Sequence, residues 1–207
     1  MVFAALSGFA AVEPKDIAMR NGTALLVMDY QPGIIGNVPN PEALLDRARK
    51  AIEIARSHGA TVGYVRVAFD DADVEALPER NKMATYIATY GERLRNDSPD
   101  STIHDAVAPQ PGDIVVRKTR VGPFTTTDLE KQLQDRGITT LVLAGVSTSG
   151  VVLSTVREAA DRDYRLFVLA DACADRAQDV HECLIEKVFP RQAEVIAVEE
   201  LEAKVFA

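Results

Sequence analysis

The 207-residue sequence has no tryptophan, two cysteines, three histidines and only 6% aromatic residues. Each scarcity excludes something. Cys173 and Cys183 show neither CxxC nor Cys/His spacing, so neither a disulfide framework nor a structural zinc site is predicted. His58, His104 and His181 lie too far apart for HxH or HxxxH ligation, and no metal and no cofactor are expected. Positive charge is also short: 23 Lys and Arg against 31 Asp and Glu leave a net charge of -8. Without a cation cluster to displace counterions, nucleic acid is not an expected partner. No apolar run reaches the roughly 20 residues that cross a bilayer, so no membrane partner is expected either. The apolar stretch Val2–Val12 lacks a basic leader and runs into Glu13-Pro14-Lys15-Asp16, which argues against an export signal. A cytoplasmic protein with a small-molecule substrate is the expectation.

What is abundant is hydrophobic sequence, 47% of the chain, and it is ordered. Continuous β-branched and aliphatic runs occur at Thr23–Met28, Thr61–Val67, Ile114–Arg117, Thr139–Ala144, Tyr164–Ala170 and Glu194–Ala197. Helical patterns alternate with them. The first opens at Asn40-Pro41 and closes at Gly59; the next carries Thr127-x-x-Glu130, a capping-box pattern. A third places Val151, Val152, Thr155, Val156, Ala159 and Ala160 on one stripe, and a last lies near Asp179–Val188. Strand–helix alternation predicts a three-layer α/β/α sandwich with a six-stranded parallel sheet, Rossmann-like in architecture. Residues 23–207 are read as one domain and residues 1–22 as an amino-terminal extension. An exposed stretch bearing Phe3, Leu6, Phe9 and Val12 is a liability on a monomer, so the extension is expected to help form a homo-oligomer, a dimer or a tetramer.

Irregular sequence gathers at Gln31–Asn40 and Ala68–Pro111, the latter broken by a short helix around Asn81–Tyr90. Such insertions belong above the carboxyl ends of the strands, where open α/β sheets bind ligands. Asp29 ends the first strand after five apolar residues, and reads either as a site carboxylate or as a strand-end aspartate bonding loop amides. Lys118 stands in the same place after the third strand, a solvated lysine or the partner of Asp29. The turn "GVSTSGVV", Gly145 to Val152, opens a helix after the fourth strand. Its residues Ser147, Thr148 and Gly150 present small side chains and amides suited to an oxyanion or carboxylate, and would equally serve an ordinary helix start. Cys173, in "LADACAD", is read as a small buried filler.

Taken in order, "TALLVMDYQPG", "DIVVRKTRVGPFTTTDLE" and "LVLAGVSTSGVVLSTVREAADRDYRLFVLADACAD" resemble the three signature segments of the isochorismatase-like hydrolases, the superfamily of nicotinamidases and other cysteine hydrolases. The resemblance implies catalysis by an Asp, a Lys and a Cys, with an oxyanion hole of backbone amides, on a small molecule. Asp29 and Lys118 match the first two. The nucleophile's place falls on Val151, counted from Gly145-Val146-x-Thr148 and Thr155, and valine has no nucleophilic atom. The resemblance also places Phe124, the aromatic after the lysine, on the cavity wall. The metal-binding Asp/His set of nicotinamidase-like members is missing from "VAFDDADVEALPERN", which speaks against nicotinamide as substrate.

Three readings follow. A cysteine-less hydrolase uses Asp29 as general acid and Lys118 to orient it, as the cysteine-less isochorismatases of the same superfamily do on a vinyl ether, here on a small carboxylated or cyclic substrate. Alternatively, an amidohydrolase has moved its nucleophile to Ser147, Ser149 or Ser154. The last is a non-catalytic member that binds a ligand or partner.

Overall fold

Every side chain of the first strand, β1 (Thr23–Met28), is buried, because neighbours cover it on both faces. The structure, a computed structural model, describes residues 22–207; the segment Val2–Val12 and its expected interface lie outside the described residues. Along the chain follow α1 (Pro41–Ser57), β2 (Thr61–Val67), α2 (Lys82–Tyr90), β3 (Ile114–Lys118), α3 (Leu129–Asp135), β4 (Thr140–Val146), α4 (Leu153–Ala160), β5 (Arg165–Ala174), α5 (Gln178–Cys183) and β6 (Glu194–Ile196). The six strands form one all-parallel sheet in the order β3-β2-β1-β4-β5-β6.

Alternation along β1 divides the interior in two. Leu25 and Val27 point to the side covered by α1, whose Leu44, Leu45, Ala48, Ala51, Ile52 and Ala55 fill that layer. Ala24, Leu26 and Met28 point to the other side, packed against Leu129 and Leu133 of α3 and Val156 and Ala159 of α4. These are the helices on both faces that the sequence pattern predicts. α1 stops as expected at Gly59, which adopts φ 69°, a left-handed conformation favouring glycine. Gly145 is needed for a different reason: a Cβ there would lie 2.8 Å from Val152 and 3.2 Å from the Cβ of Met28, so only glycine lets the start of α4 settle against β1.

Two elements depart from the sequence pattern. β5 runs to Ala174 rather than Ala170, because an irregularity between Leu143 and Gly145 brings β4 back into register with it, at Gly145 with Cys173 and Val146 with Ala174. The capping box at Thr127 and Glu130 does not form. The Thr127 hydroxyl accepts from the Leu129 amide at 3.1 Å and donates to the Pro123 carbonyl at 2.6 Å, while Glu130 accepts instead from Gln134 and Tyr164. Among the described residues no helix is long and apolar enough to cross a membrane.

The sheet order sets where a ligand belongs. From β1 the chain builds outward through β2 to β3, then returns to β4 on the other side and builds through β5 to β6, so the loops after β1 and β4 diverge and leave a crevice.

Candidate active site

Asp29 is the first residue past β1. Its amide still donates to the Val65 carbonyl at 2.8 Å, and the chain then turns through φ 59°, a left-handed conformation that aspartate tolerates better than most residues. Gln31, fully buried, locks this turn. Its side-chain amide donates to the carbonyls of Val67 and Ser101 at 2.9 and 2.8 Å, and its oxygen accepts from the Val67 amide at 2.8 Å. One side chain thus ties the turn after β1 to the end of β2 and to the long insertion. Gln31→Leu removes all three bonds, leaving the Ser101 carbonyl only the Arg66 guanidinium at 3.2 Å, and in urea unfolding it should lose about 3 kcal/mol.

Lys118, at the end of β3, reaches across β2 to Asp29. Its Nζ lies 2.9 Å from Asp29 Oδ2, the two side chains being 4% and 6% exposed, and a further bond to the Arg120 carbonyl at 3.2 Å fixes the ammonium. The other carboxylate oxygen, Oδ1, is buried and has no partner. Burial pushes the Asp29 carboxyl above the usual carboxylate range, and Lys118 offsets part of that rise.

The turn after β4 closes the other side of the crevice. The Val146–Ser147 peptide is cis, and residues Thr148–Val152 make one wide helical turn that leads into α4. Asp175, buried just past β5, holds it: one carboxylate oxygen accepts from the Ser149 amide at 2.7 Å and the other from the Ala177 amide at 3.3 Å. Thr148, also buried, contacts His181 Nδ1 through its hydroxyl at 2.8 Å. Burial lowers the His181 ring below its ordinary value, against the raising effect of Asp175 and Glu182.

Between these elements lies a cavity of about 400 Å³ lined by Asp29, Lys118, Ser147, Gly150 and Val151, with Asp175 and Arg176 on one side and Lys82, Met83, Tyr86 and Tyr90 of α2 on another. Of the residues singled out from the sequence, Asp29, Lys118, Ser147, Gly150 and Val151 therefore share one space. Thr148 does not; its side chain is turned to His181. Phe124 does not either. It is 5% exposed inside the core against α3 and α4, under the guanidinium of Arg162 at 4.9 Å, so the aromatic after the lysine is a packing residue here. Ser149 is exposed, and Ser154 faces Gly122; neither lines the cavity. Cys173 is buried with its thiol pushed up to about 12, chiefly by burial, which makes it an inert filler.

Four participants escaped the sequence. Asp175 and Arg176 directly follow a strand, the same signal that marked Asp29, but that strand ends four residues later than its pattern indicates. Gln31 and Tyr86 carried no signal at all, since only the tertiary fold supplies their partners.

A parallel sheet that brings buried Asp29 and Lys118 together beside a cavity at the carboxyl ends of its strands has the arrangement in which open α/β folds bind ligands. The chain belongs to the isochorismatase family: residues 23–200 match the Isochorismatase domain. It is 34% identical over 182 residues, 86% of this chain and 94% of the relative, to the uncharacterized isochorismatase family protein YecD of Escherichia coli O157:H7. To the ureidoacrylate amidohydrolase RutB of Methylobacterium radiotolerans it is 34% identical over 184 residues, 77% of this chain and 70% of that one. The N-carbamoylsarcosine amidase of Thermoplasma acidophilum superposes with a TM-score of 0.69 at 30% identity, covering 86% of this chain and 96% of the other. The family's members are hydrolases, amidohydrolases among them.

Proposed function

We propose that this protein is a small-molecule hydrolase that works by proton transfer between Asp29 and its substrate, without a covalent enzyme intermediate. The observation that carries this reading is the buried Asp29–Lys118 pair at 2.9 Å, with Asp29 Oδ1 unpartnered and with Asp29, Lys118 and Val151 lining one cavity. Val151, 2% exposed, supplies an apolar surface where a nucleophile would otherwise stand. A carboxyl raised by desolvation holds its proton at a higher pH than an ordinary one, which suits a general acid. On a vinyl ether, the carboxyl proton passes to the substrate's carbon, leaving an oxygen-stabilised cation. Water adds to that cation and returns one proton to Asp29, and the resulting hemiketal collapses to a carbonyl compound and an alcohol. Lys118 stays cationic throughout and stabilises the carboxylate formed midway.

The amidohydrolase and amidase names among the relatives support a second reading, cleavage of an amide or carbamoyl bond. For that route Ser147 is the serine of choice, because among Ser147, Ser149 and Ser154 it alone lines the cavity.

The test is a screen of vinyl ethers, amides and carbamates run on the native chain, Asp29→Asn/Lys118→Met and Ser147→Ala. The proposal expects one substrate class to be turned over, with loss of about a hundredfold or more in the double variant and little change in Ser147→Ala. Its rate should also fall as pH rises through the Asp29 pKa, since the protonated form is the reactive one. Abolition by Ser147→Ala assigns a relocated nucleophile instead, and no turnover of any class assigns a binding protein.

A further inference from the structure

The turn that closes the crevice, residues 147–152, is held at two points by one neighbouring segment. Its Ser149 amide donates to Asp175 Oδ2 at 2.7 Å, and its Thr148 hydroxyl meets His181 Nδ1 at 2.8 Å. Within the turn the bonds are longer, the Ser147 carbonyl accepting from the Gly150 and Val152 amides at 3.2 and 3.3 Å. Thr155 of α4 holds only the far end, through the Val151 carbonyl at 2.7 Å. The first half of the turn therefore depends on the stretch after β5.

Packing does not stand in for those two bonds. A second cavity, of about 280 Å³, is lined by Asp175 and His181 together with Asn40, Arg47 and Gln178. Asp175 lines the active-site cavity as well, so its carboxylate belongs to a partition bordered by both spaces. It is only 6% exposed, and its other oxygen accepts from the Ala177 amide at 3.3 Å. A buried carboxylate is costly unless its oxygens are met, and here backbone amides of two separate turns meet them. One side chain thus joins the turn after β4 to the turn after β5.

Resting on the active-site reading above, we propose that Asp175 is a positioning residue for the reaction. Through the Ser149 amide it fixes the turn that carries Ser147 and Val151, and so keeps residue 151 in the cavity that holds Asp29 and Lys118. It touches no reacting atom and acts through the backbone. A hydrogen bond to a charged acceptor is shorter and stronger than a neutral one, which suits a tether with open space on both sides. A displacement of about 1 Å in such a turn is enough to cost roughly a hundredfold in rate.

The test reads position 151 directly, through a thiol placed there by Val151→Cys, with Cys183→Ser removing the exposed native cysteine. In this parent chain Asp175→Asn and Asp175→Ala remove the same charge, but asparagine keeps an oxygen for the Ser149 amide and alanine does not. Alkylation by iodoacetamide is followed well below each melting temperature, with the Asp29–Lys118 pair intact or replaced through Asp29→Asn/Lys118→Met. Replacing the pair should slow alkylation about threefold or more in the parent and in Asp175→Asn, and by less than about twofold in Asp175→Ala, where residue 151 has lost its place beside the pair. On any substrate the protein hydrolyses, Asp175→Ala without the thiol should lower kcat about tenfold or more with KM within about twofold, and Asp175→Asn should recover most of the loss. A residue that only supports the fold would lower the melting temperature and leave the effect of the pair unchanged. The proposal is overturned by a pair effect of equal size in Asp175→Ala, by an Asp175→Asn chain as impaired as Asp175→Ala, by an Asp175→Ala chain that does not fold, or by a parent thiol no faster than Cys173. Alkylation requires no substrate. The expected alkylation pattern in a protein that hydrolyses nothing counts against the hydrolase reading alone, and hydrolysis with the pair effect intact in Asp175→Ala counts against the role of Asp175 alone.

Discussion

Asp29→Asn should lower the melting temperature by about 10 °C at neutral pH, and adding Lys118→Met should restore most of the loss. Asparagine removes the counter-charge of an ammonium that is 3% exposed, and breaking one side of a buried pair costs about 3–5 kcal/mol. In a domain of this size each kcal/mol moves the melting point by roughly 2–4 °C. Removing both charges together leaves an amide and a thioether in a pocket already lined with apolar groups, which is far less costly. If the double variant melts as low as Asp29→Asn, the pair is not the source of the loss.

Lys118→Met alone reads the other half of the pair through pH. The Asp29 carboxyl is already raised by burial, with Lys118 opposing that rise, so losing Lys118 raises it further. A carboxyl with a folded pKa above its unfolded value stabilises the fold while protonated, and that contribution is lost as pH climbs through the folded pKa. Lys118→Met should therefore be most stable near pH 4 and weaken by up to about 1.4 kcal/mol per pH unit above it. A melting point independent of pH over that span would show that Asp29 stays solvated in the variant.

The parts of this molecule that were legible in its sequence are those fixed by local pattern. Six apolar runs gave six strands because a sheet covered on both faces tolerates no polar alternation, and β1 with all its side chains buried is the clearest case. Asp29 and Lys118 were legible because a charge directly after such a run must find a partner or water. Their meeting was not a local matter: it depends on β2 lying between β1 and β3, which places two strand ends within reach of one long side chain. Phe124 shows the limit of resemblance. Its position after the lysine suggested a cavity wall, but the fold turns the ring inward against α3 and α4, where burying an aromatic ring is more favourable than leaving it at the mouth. Gln31 and Tyr86 carry no periodicity and gain meaning only from what the insertion brings beside them, while Asp175 and Arg176 were hidden by the late end of β5.

Val151→Cys should give a folded protein whose new thiol reacts with iodoacetamide at a rate well above that of Cys173. Valine and cysteine are similar in volume, so the exchange costs less than about 1.5 kcal/mol. The backbone there is held independently of the side chain, since the Val151 carbonyl accepts the Thr155 hydroxyl at 2.7 Å, so residue 151 keeps its aim into the cavity. The thiol then shares a cavity with Asp29, a carboxylate available as its base, and with Lys118, whose charge favours a thiolate. Cys173 provides the internal reference, buried with a thiol near 12, and Cys183→Ser removes the one exposed native cysteine. Mass spectrometry of the alkylated Val151→Cys/Cys183→Ser chain should find the adduct at position 151 alone, and Asp29→Asn in that background should slow its formation. Under the proposed acid mechanism the variant also keeps part of its native turnover, because Asp29 and Lys118 are untouched. A thiol at 151 as unreactive as Cys173 would mean that Val151 does not occupy the nucleophile's place, and the chemistry assigned to this crevice would have to be rebuilt around Ser147.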